Sequence, residues 1–250
     1  MTSNNEFNYI KNCIVFAAYN EFENLEILLR NIGDLVSSNT LILVCDDSGI
    51  THQDKVKMHV KAALYNKNIK FYISFASVKS GRGSAIRRGF MFVLENCQNI
   101  EYLIECDSDG SHRAEDIIKL LNYPQCDFLI GSRYLALSRI DGWPISRKIA
   151  SKFLNTIIPR ILGVPCKDLT NGLRRYSKIA IQCILSAPIN HSGFIYLSEQ
   201  ALQLTKNNFK IVEIPIHFVN RIYGESSVGF KEIKESLLGV WSLWKHRGEY

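Results

Sequence analysis

Apolar residues follow two rhythms along this chain. Short runs rich in Ile, Val, Leu and Phe at 13–17, 41–45, 70–75, 102–106 and 128–131 read as strands. Between them, residues 23–31, 52–64, 84–95 and 114–121 repeat apolar positions every three or four residues, the spacing that gives a helix one apolar face. Strands alternating with helices of this length predict β-α-β units, hence an α/β protein with a doubly wound, mostly parallel sheet and helices on both faces. The second half is less regular: a basic segment at 145–163, a loop at 167–172, a strand-like run at 173–176, a helix around 196–207 and a strand at 210–217. No Pro/Gly/Ser linker, internal repeat or low-complexity tract divides the chain.

In a sheet of this kind ligands gather beyond the carboxyl ends of the strands. Those ends carry Tyr19-Asn20-Glu21, Asp46-Asp47-Ser48-Gly49, Ser80-Gly81-Arg82-Gly83, Asp107-Ser108-Asp109 and Ser132-Arg133-Tyr134, so acids collect along one edge. Side chains alternate along an extended chain, which puts Asp107 and Asp109 on one side. Two such carboxylates suit a hard cation, Mg²⁺ or Mn²⁺, or else form a solvated turn. Asp47 reads either as an acceptor for ribose hydroxyls or base N–H groups, or as part of a helix cap. The glycine loop at 81–83 opens a helix whose free N–H groups can face an anion, and it serves equally as a tight turn. Arg221, after the last strand, reads as a phosphate clamp or as a solvated surface residue.

Composition narrows the classes. With 46% hydrophobic and 22% charged residues the chain has enough apolar material for a core, and no run approaches the roughly 18–20 apolar residues that cross a bilayer. The polar start, without a secretion-signal pattern, places the expectation in the cytoplasm. None of the seven cysteines forms a C-x-x-C pair, so buried thiols are expected. The six histidines show no H-E-x-x-H spacing and no P-loop is present, which argues against zinc hydrolases and P-loop nucleotide hydrolases. A net charge of +6 fits a phosphorylated substrate or an acidic membrane surface, and the acidic edge argues against nucleic acid.

Taken in order, the motifs resemble those of family-two glycosyltransferases with the GT-A fold, nearest to the dolichol-phosphate or polyprenol-phosphate mannose synthases. The carriers are AAYNEFENL at 17–25, DDSG at 46–49, GRGSA at 81–85, DSDGSH at 107–112 and GSRY at 131–134. GWP at 142–144 with Arg147-Lys148, DLTNGLR at 168–174, and IPI at 214–216 leading into NRIYGES at 220–226 complete the set. The resemblance implies inverting transfer of a sugar, GDP-mannose being the favoured donor, to the phosphate of a polyprenol or dolichol. It assigns Tyr19, Glu21 and Asp47 to the nucleoside and Asp107 and Asp109 to Mg²⁺ or Mn²⁺ and the donor diphosphate. Arg133, Arg147 and Arg221 go to the phosphates of donor and acceptor, and Asp107, Asp109 and Arg221 are the catalytic set. A UDP-sugar donor, a glycan hydroxyl acceptor, or a non-catalytic nucleotide-binding subunit are the alternatives.

The chain departs from the family pattern at Ala18, Ser108 and Asn171, and at Ser227, where relatives often carry lysine. Residues 1–229 form the expected catalytic domain, followed by an amphipathic helix over 230–250 with Ile233, Leu237, Val240, Trp241 and Trp244 on one face. Tryptophans flanked by basic residues suit a membrane interface, and a helix packed on its own domain is the alternative. The expected place is the cytoplasmic membrane face, peripherally attached, with a membrane-anchoring subunit as a further partner.

Overall fold

The computed structural model describes residues 5–187, 191, 193, 195–221, 223 and 230–248, the side chains of 230–237 excepted. Ser227, and with it the question of the missing lysine, lies outside the described residues.

A seven-stranded sheet runs in the order β3-β2-β1-β4-β7-β5-β8. Its strands are β1 (Asn12–Ala18), β2 (Thr40–Asp46), β3 (Lys70–Phe75), β4 (Tyr102–Asp107), β5 (Phe128–Ser132), β7 (Arg174–Ser177) and β8 (Ile211–Pro215). All neighbours pair in parallel except β7, which is antiparallel to both β4 and β5. Two short strands, β6 (Arg139–Ile140) and β9 (His217–Phe218), pair separately. The helices are α1 (Phe22–Gly33), α2 (Gln53–Ala63), α3 (Arg82–Asn96), α4 (Ala114–Leu121), α5 (Ile145–Leu162), α6 (Lys178–Ser186), α7 (Tyr196–Lys206) and α8 (Phe230–Lys245).

Alternation along β1 sorts the core into two layers. Cys13 and Val15 join Leu41, Leu43, Ile86 and Phe90 on one face, whereas Ile14 and Phe16 join Ile42, Val44, Leu25 and Leu29 on the other. Both faces are covered, which is why these strands read as continuous apolar runs. Helix α3 comes especially close: a Cβ on Gly89 would stand 2.6 Å from Val15 Cγ1, so this turn of the helix seats directly on β1.

The sheet edge beyond β4 differs from a simple alternating pattern for a physical reason. Strand β7 carries two fully buried arginines, both of which donate to main-chain oxygens. Arg175 donates to the carbonyls of Leu120, Tyr123 and Pro124, capping the end of α4, and Arg174 donates to those of Asn171 and Leu197. Helix α6, absent from the sequence expectation, starts at Ser177, whose hydroxyl accepts from Ala180 N–H.

Candidate functional site

Register brings the acidic loops together. Ala18 pairs with Asp46 and Ala17 with Asp107, so the chain leaves β1, β2 and β4 side by side at one sheet edge. The Ser108 hydroxyl donates to the Ala17 carbonyl (2.8 Å) and Asn20 N–H to Ser48 Oγ (2.8 Å), which ties the three loops into one surface.

On its β2 side, Asp47 is buried and its Oδ2 accepts from Ser80 N–H and Oγ at 2.8 and 2.7 Å, while Oδ1 faces Arg88 Nη2 at 3.0 Å. It caps no helix, because a 3-10 turn at Ile50–His52 separates it from α2. Asp46 is turned back on Ser48, and burial raises its carboxyl above the ordinary value despite those bonds. Tyr19 stands at the exposed rim with Lys79 Nζ 4.0 Å from its ring centre.

Glu21 occupies the N-cap position of α1 without making a cap hydrogen bond. Its carboxylate accepts instead from Asn24 Nδ2 (2.7 Å) and lies 3.4 Å from Arg221 Nη1. Burial, reinforced by Asp109 and Asp107, raises the Glu21 carboxyl above its ordinary value against the pull of Asn24 and Arg221. Arg221 Nη2 reaches Asp109 Oδ2 at 3.0 Å, and Asp109 Oδ1 accepts from Ser111 N–H and Oγ. Asn24 also exchanges hydrogen bonds with the Tyr223 main chain, fixing the Arg221 loop to α1.

Asp107 is held differently. Arg82 Nε donates to its Oδ1 (2.6 Å), and Nη1 of the same guanidinium pairs with the fully buried Glu105. Burial works to raise the Asp107 carboxyl, but Arg82, His112 and Arg133 outweigh it and hold it below the usual carboxylate range. The nearest group to Oδ2 is His112 Nε2 at 3.8 Å, beyond hydrogen-bond reach. His112 is itself engaged: Nδ1 faces the Asp107 N–H (3.4 Å), and Nε2 lies 3.0 Å from Asn171 Oδ1.

Across the cleft the charges are positive. Arg133 is buried and grips Asp168 through Nε and Nη2, both at 2.8 Å, with Thr170 Oγ1 on Nη2 as well. Its guanidinium lies 5.4 Å from the rings of both Trp143 and Phe218. Arg147, on the first turn of α5, also stacks on Trp143, its Cζ 4.0 Å from the ring centre. Burial, then Arg221 and Arg133, lower the Arg147 pKa, so these three cations share one region.

Glu21, Asp107, Asp109, Arg133, Arg147 and Arg221 thus converge, whereas Asp47 and Tyr19 sit at the same sheet edge with partners of their own, Ser80 and Arg88 for Asp47 and Lys79 for Tyr19. Four contributors escaped the sequence reading: the Arg82 side chain, Glu105, Asn24 and Asp168. Asn24 and Asp168 lie inside quoted motifs, and Glu105 sits at the inward alternate position from Asp107, a place where a carboxylate needs a partner.

The donor chemistry of Asp107 and Asp109 fits a hard divalent cation. Each offers a carboxylate oxygen, and Asp107 Oδ2 has no donor within hydrogen-bond reach among the described residues. Among those residues no group of three or more His, Cys, Asp and Glu forms a cage, so a bound ion would complete its shell from substrate and water.

Comparison with known proteins gives the family and the fold. The chain is 29% identical over 237 residues to the polyprenol monophosphomannose synthase of Mycolicibacterium smegmatis, covering 94% of this chain and 87% of that one. It is 30% identical over 233 residues to the undecaprenyl-phosphate mannosyltransferase of Micrococcus luteus, with 92% and 93% covered. Among solved structures, glucosyl-3-phosphoglycerate synthase from Mycobacterium tuberculosis with UDP superposes with a TM-score of 0.63 at 13% identity, over 94% of this chain and 80% of that one. The same synthase with Mn²⁺, UDP and phosphoglyceric acid gives 0.63 at 15%, over 95% and 78%. Those likenesses establish the GT-A, Rossmann-like fold. The model of glycosyl transferase family 2 matches residues 13–185, and this chain belongs to that glycosyltransferase family.

Proposed function

We propose that this protein transfers mannose from a nucleotide sugar, GDP-mannose, to the phosphate of a membrane polyprenol, with inversion at the anomeric carbon. The observation that carries the reading is the charge cluster: Glu21, Asp107 and Asp109 gather at one sheet edge, Arg221 bridges Glu21 and Asp109, and Arg133 and Arg147 lie beside them. The names of the two mannosyl-transferring relatives, matched over more than nine-tenths of this chain, support it.

Asp47 and Tyr19 take the nucleoside, with the buried Asp47 carboxylate as acceptor and the exposed ring as a stacking face. Asp107 and Asp109 hold Mg²⁺ or Mn²⁺, which when bound neutralises the departing diphosphate. Arg221, already fixed on Glu21 and Asp109, adds a positive group at the seam between donor and acceptor. Arg147 faces the acceptor phosphate. With Nε and Nη2 held by Asp168, Arg133 contributes its charge and its remaining nitrogen. An acceptor oxygen attacks the anomeric carbon as the bond to the nucleoside diphosphate breaks. A lipid phosphate, with a second pKa of about 6, is ionised at neutral pH, so the attack requires no general base.

The lipid acceptor also fits the outer surface. No helix among the described residues is long and apolar enough to cross a membrane. Helix α5, however, turns Ile145, Ile149 and Phe153 outward at 76%, 65% and 61% exposure, one turn apart, with Lys152 and Arg160 also exposed. Neighbouring α8 exposes Leu238, Trp241 and Trp244 while burying Val240 and Leu243 in the core. Val240 therefore faces inward, away from the tryptophans, unlike the single-face expectation; the side chains of Ile233 and Leu237 lie outside the described residues. These exposed side chains support the reading of peripheral attachment to the cytoplasmic membrane face through α5 and α8, with a membrane-anchoring subunit as a further partner. Flotation with anionic liposomes checks this: Ile149→Asp with Phe153→Asp is expected to lower the bound fraction at least tenfold, since each loses roughly 1.5–3 kcal/mol of apolar burial. Unchanged flotation would remove the membrane face from the account.

The decisive assay incubates purified protein with GDP-mannose or individual UDP-sugars, Mg²⁺ or Mn²⁺, and a short polyprenyl phosphate, and reads the lipid by mass. Polyprenyl-phosphate mannose from GDP-mannose is expected, falling about 10²–10³-fold in a folded Asp109→Asn variant. Product from a UDP-sugar alone would reassign the donor. Transfer to a soluble saccharide in place of the lipid would overturn the acceptor.

A further inference from the structure

The D-x-D aspartates already have a resident cation of this chain's own. Arg82, the first residue of α3, sits only 12% exposed with its guanidinium directed at three acceptors: Asp107 Oδ1, Glu105 Oε1 and, at 3.3 Å, the Gly172 carbonyl. Its Cζ lies 5.3 Å from the Tyr196 ring, and the Tyr176 hydroxyl lies 3.0 Å from the second oxygen of Glu105. The opposite side is cut to fit. A Cβ on Gly172 would collide with Nη2, stand 3.0 Å from Cζ and stand 3.0 Å from Asp107 Oδ1. The guanidinium is thus built in, bounded by a strand, a glycine and an aromatic ring.

This placement has an electrostatic consequence for the metal reading, on which the inference rests. A guanidinium stays protonated, so a positive charge in contact with Asp107 repels any cation that approaches Oδ2. Asp109 meets a second such charge in Arg221. We propose that Arg82 is a built-in counter-cation that weakens divalent-ion binding to Asp107 and Asp109 when no diphosphate is present. A nucleoside diphosphate carries negative charge into the cleft and offsets the repulsion. The aspartates therefore take the metal well only together with the donor, which makes metal and nucleotide binding cooperative. Arg82 is on this account a positioning residue: it also holds Oδ1 and leaves Oδ2 without a hydrogen-bond donor among the described residues.

Mn²⁺ titrations followed by the loss of the free-ion paramagnetic resonance signal test the proposal, each run alone and with saturating GDP. Arg82→Met is expected to bind Mn²⁺ alone about tenfold more tightly than the unaltered protein, the effect of removing one nearby charge in a partly solvated site. The gain should shrink to within about threefold once GDP is present, because the diphosphate offsets the charge that was removed. Since Arg82→Met leaves Glu105 buried without its guanidinium, Arg82→Met with Glu105→Gln serves as the folded control, and it should bind Mn²⁺ alone more tightly than Glu105→Gln by itself, the two differing only in the Arg82 charge. A purely structural role for Arg82 gives unchanged or weaker Mn²⁺ binding in whichever variant folds, and that result would overturn the proposal. If the unaltered protein takes up no Mn²⁺ even with GDP, the metal reading fails and the counter-cation fails with it. Saturable uptake by the unaltered protein with no change in the variants overturns the counter-cation alone.

Discussion

The two walls of the cleft solve opposite charge problems by different means. On the wall made by β1, β2 and β4, every acid is held by short polar partners: Asp47 by Ser80 and Arg88, Asp107 by Arg82, Asp109 by Ser111 and Arg221. On the wall made by β5 and α5, guanidiniums lie against aromatic rings, Arg147 and Arg133 both near Trp143, and Arg133 is also paired with Asp168. Neutralised acids leave individual oxygens to offer to a cation or a hydroxyl. Arginines backed by a ring keep their charge for an anion, because a π face orients a cation without quenching it. The contrast orders the cleft into a side for metal and nucleoside and a side for phosphate.

The strongest way to break that contrast is at Asp168, the one buried acid on the cationic wall. Asp168→Asn removes the counter-charge from Arg133, which is itself buried, and is expected to cost about 3–5 kcal/mol of stability, read by denaturant unfolding. A loss below about 1 kcal/mol would show that the aromatic faces alone can carry the guanidinium. Arg147 should behave oppositely, being tethered by stacking rather than by an ion pair. Arg147→Met is expected to leave unfolding unchanged within about 0.5 kcal/mol, the range of ordinary surface substitutions. It should raise KM for polyprenyl phosphate roughly tenfold, the scale of one charge-assisted hydrogen bond, without raising KM for the nucleotide sugar. An equal rise for both substrates would place Arg147 on the donor instead.

How far each wall was legible from residues alone follows from the same difference. The acidic wall is assembled from consecutive β-α units, so strand ends read from apolar runs place Tyr19, Glu21, Asp47, Asp107 and Asp109 at one edge; parallel register then does the rest. The cationic wall draws on β5, the loop before β7, α5 and the segment after β9, whose proximity depends on an antiparallel insertion that no local pattern encodes. Arg221 was read from its place after the last strand as a clamp or a solvated residue, Arg133 from a strand end without a role, and Arg147 only through resemblance, while Asp168 stayed a motif letter without a role. Arg82 was invisible for another reason. A glycine loop is read through its backbone, and only coordinates show a side chain turning back from it toward Glu105. Arg174 and Arg175 carry the complementary lesson, since in sequence they look like binding cations and in the fold they donate to main-chain carbonyls.

The finest division between the walls runs through Glu21, which touches Arg221 on one side and shares the field of Asp109 and Asp107 on the other. Its folded pKa is raised, burial being the largest cause and the two aspartates adding to it. For an acid, that sign means the ionised form costs the fold stability above the folded pKa, and the cost disappears as pH falls toward the ordinary carboxylate value near 4.3. Substrate handling runs the other way. Protonation removes the acceptor of Arg221 and the negative charge beside the nucleoside wall, so donor binding should weaken on acidification while Glu21 no longer burdens the fold. The expected result is a KM for the nucleotide sugar that rises about threefold as pH drops through the raised pKa, with Tm not falling on that account. In Glu21→Gln the limb assigned to this group should vanish, and KM at neutral pH should already sit at the acid-side value. A limb that persists in Glu21→Gln would belong to another group, and Arg221 would then be held in place by Asp109 without help from α1.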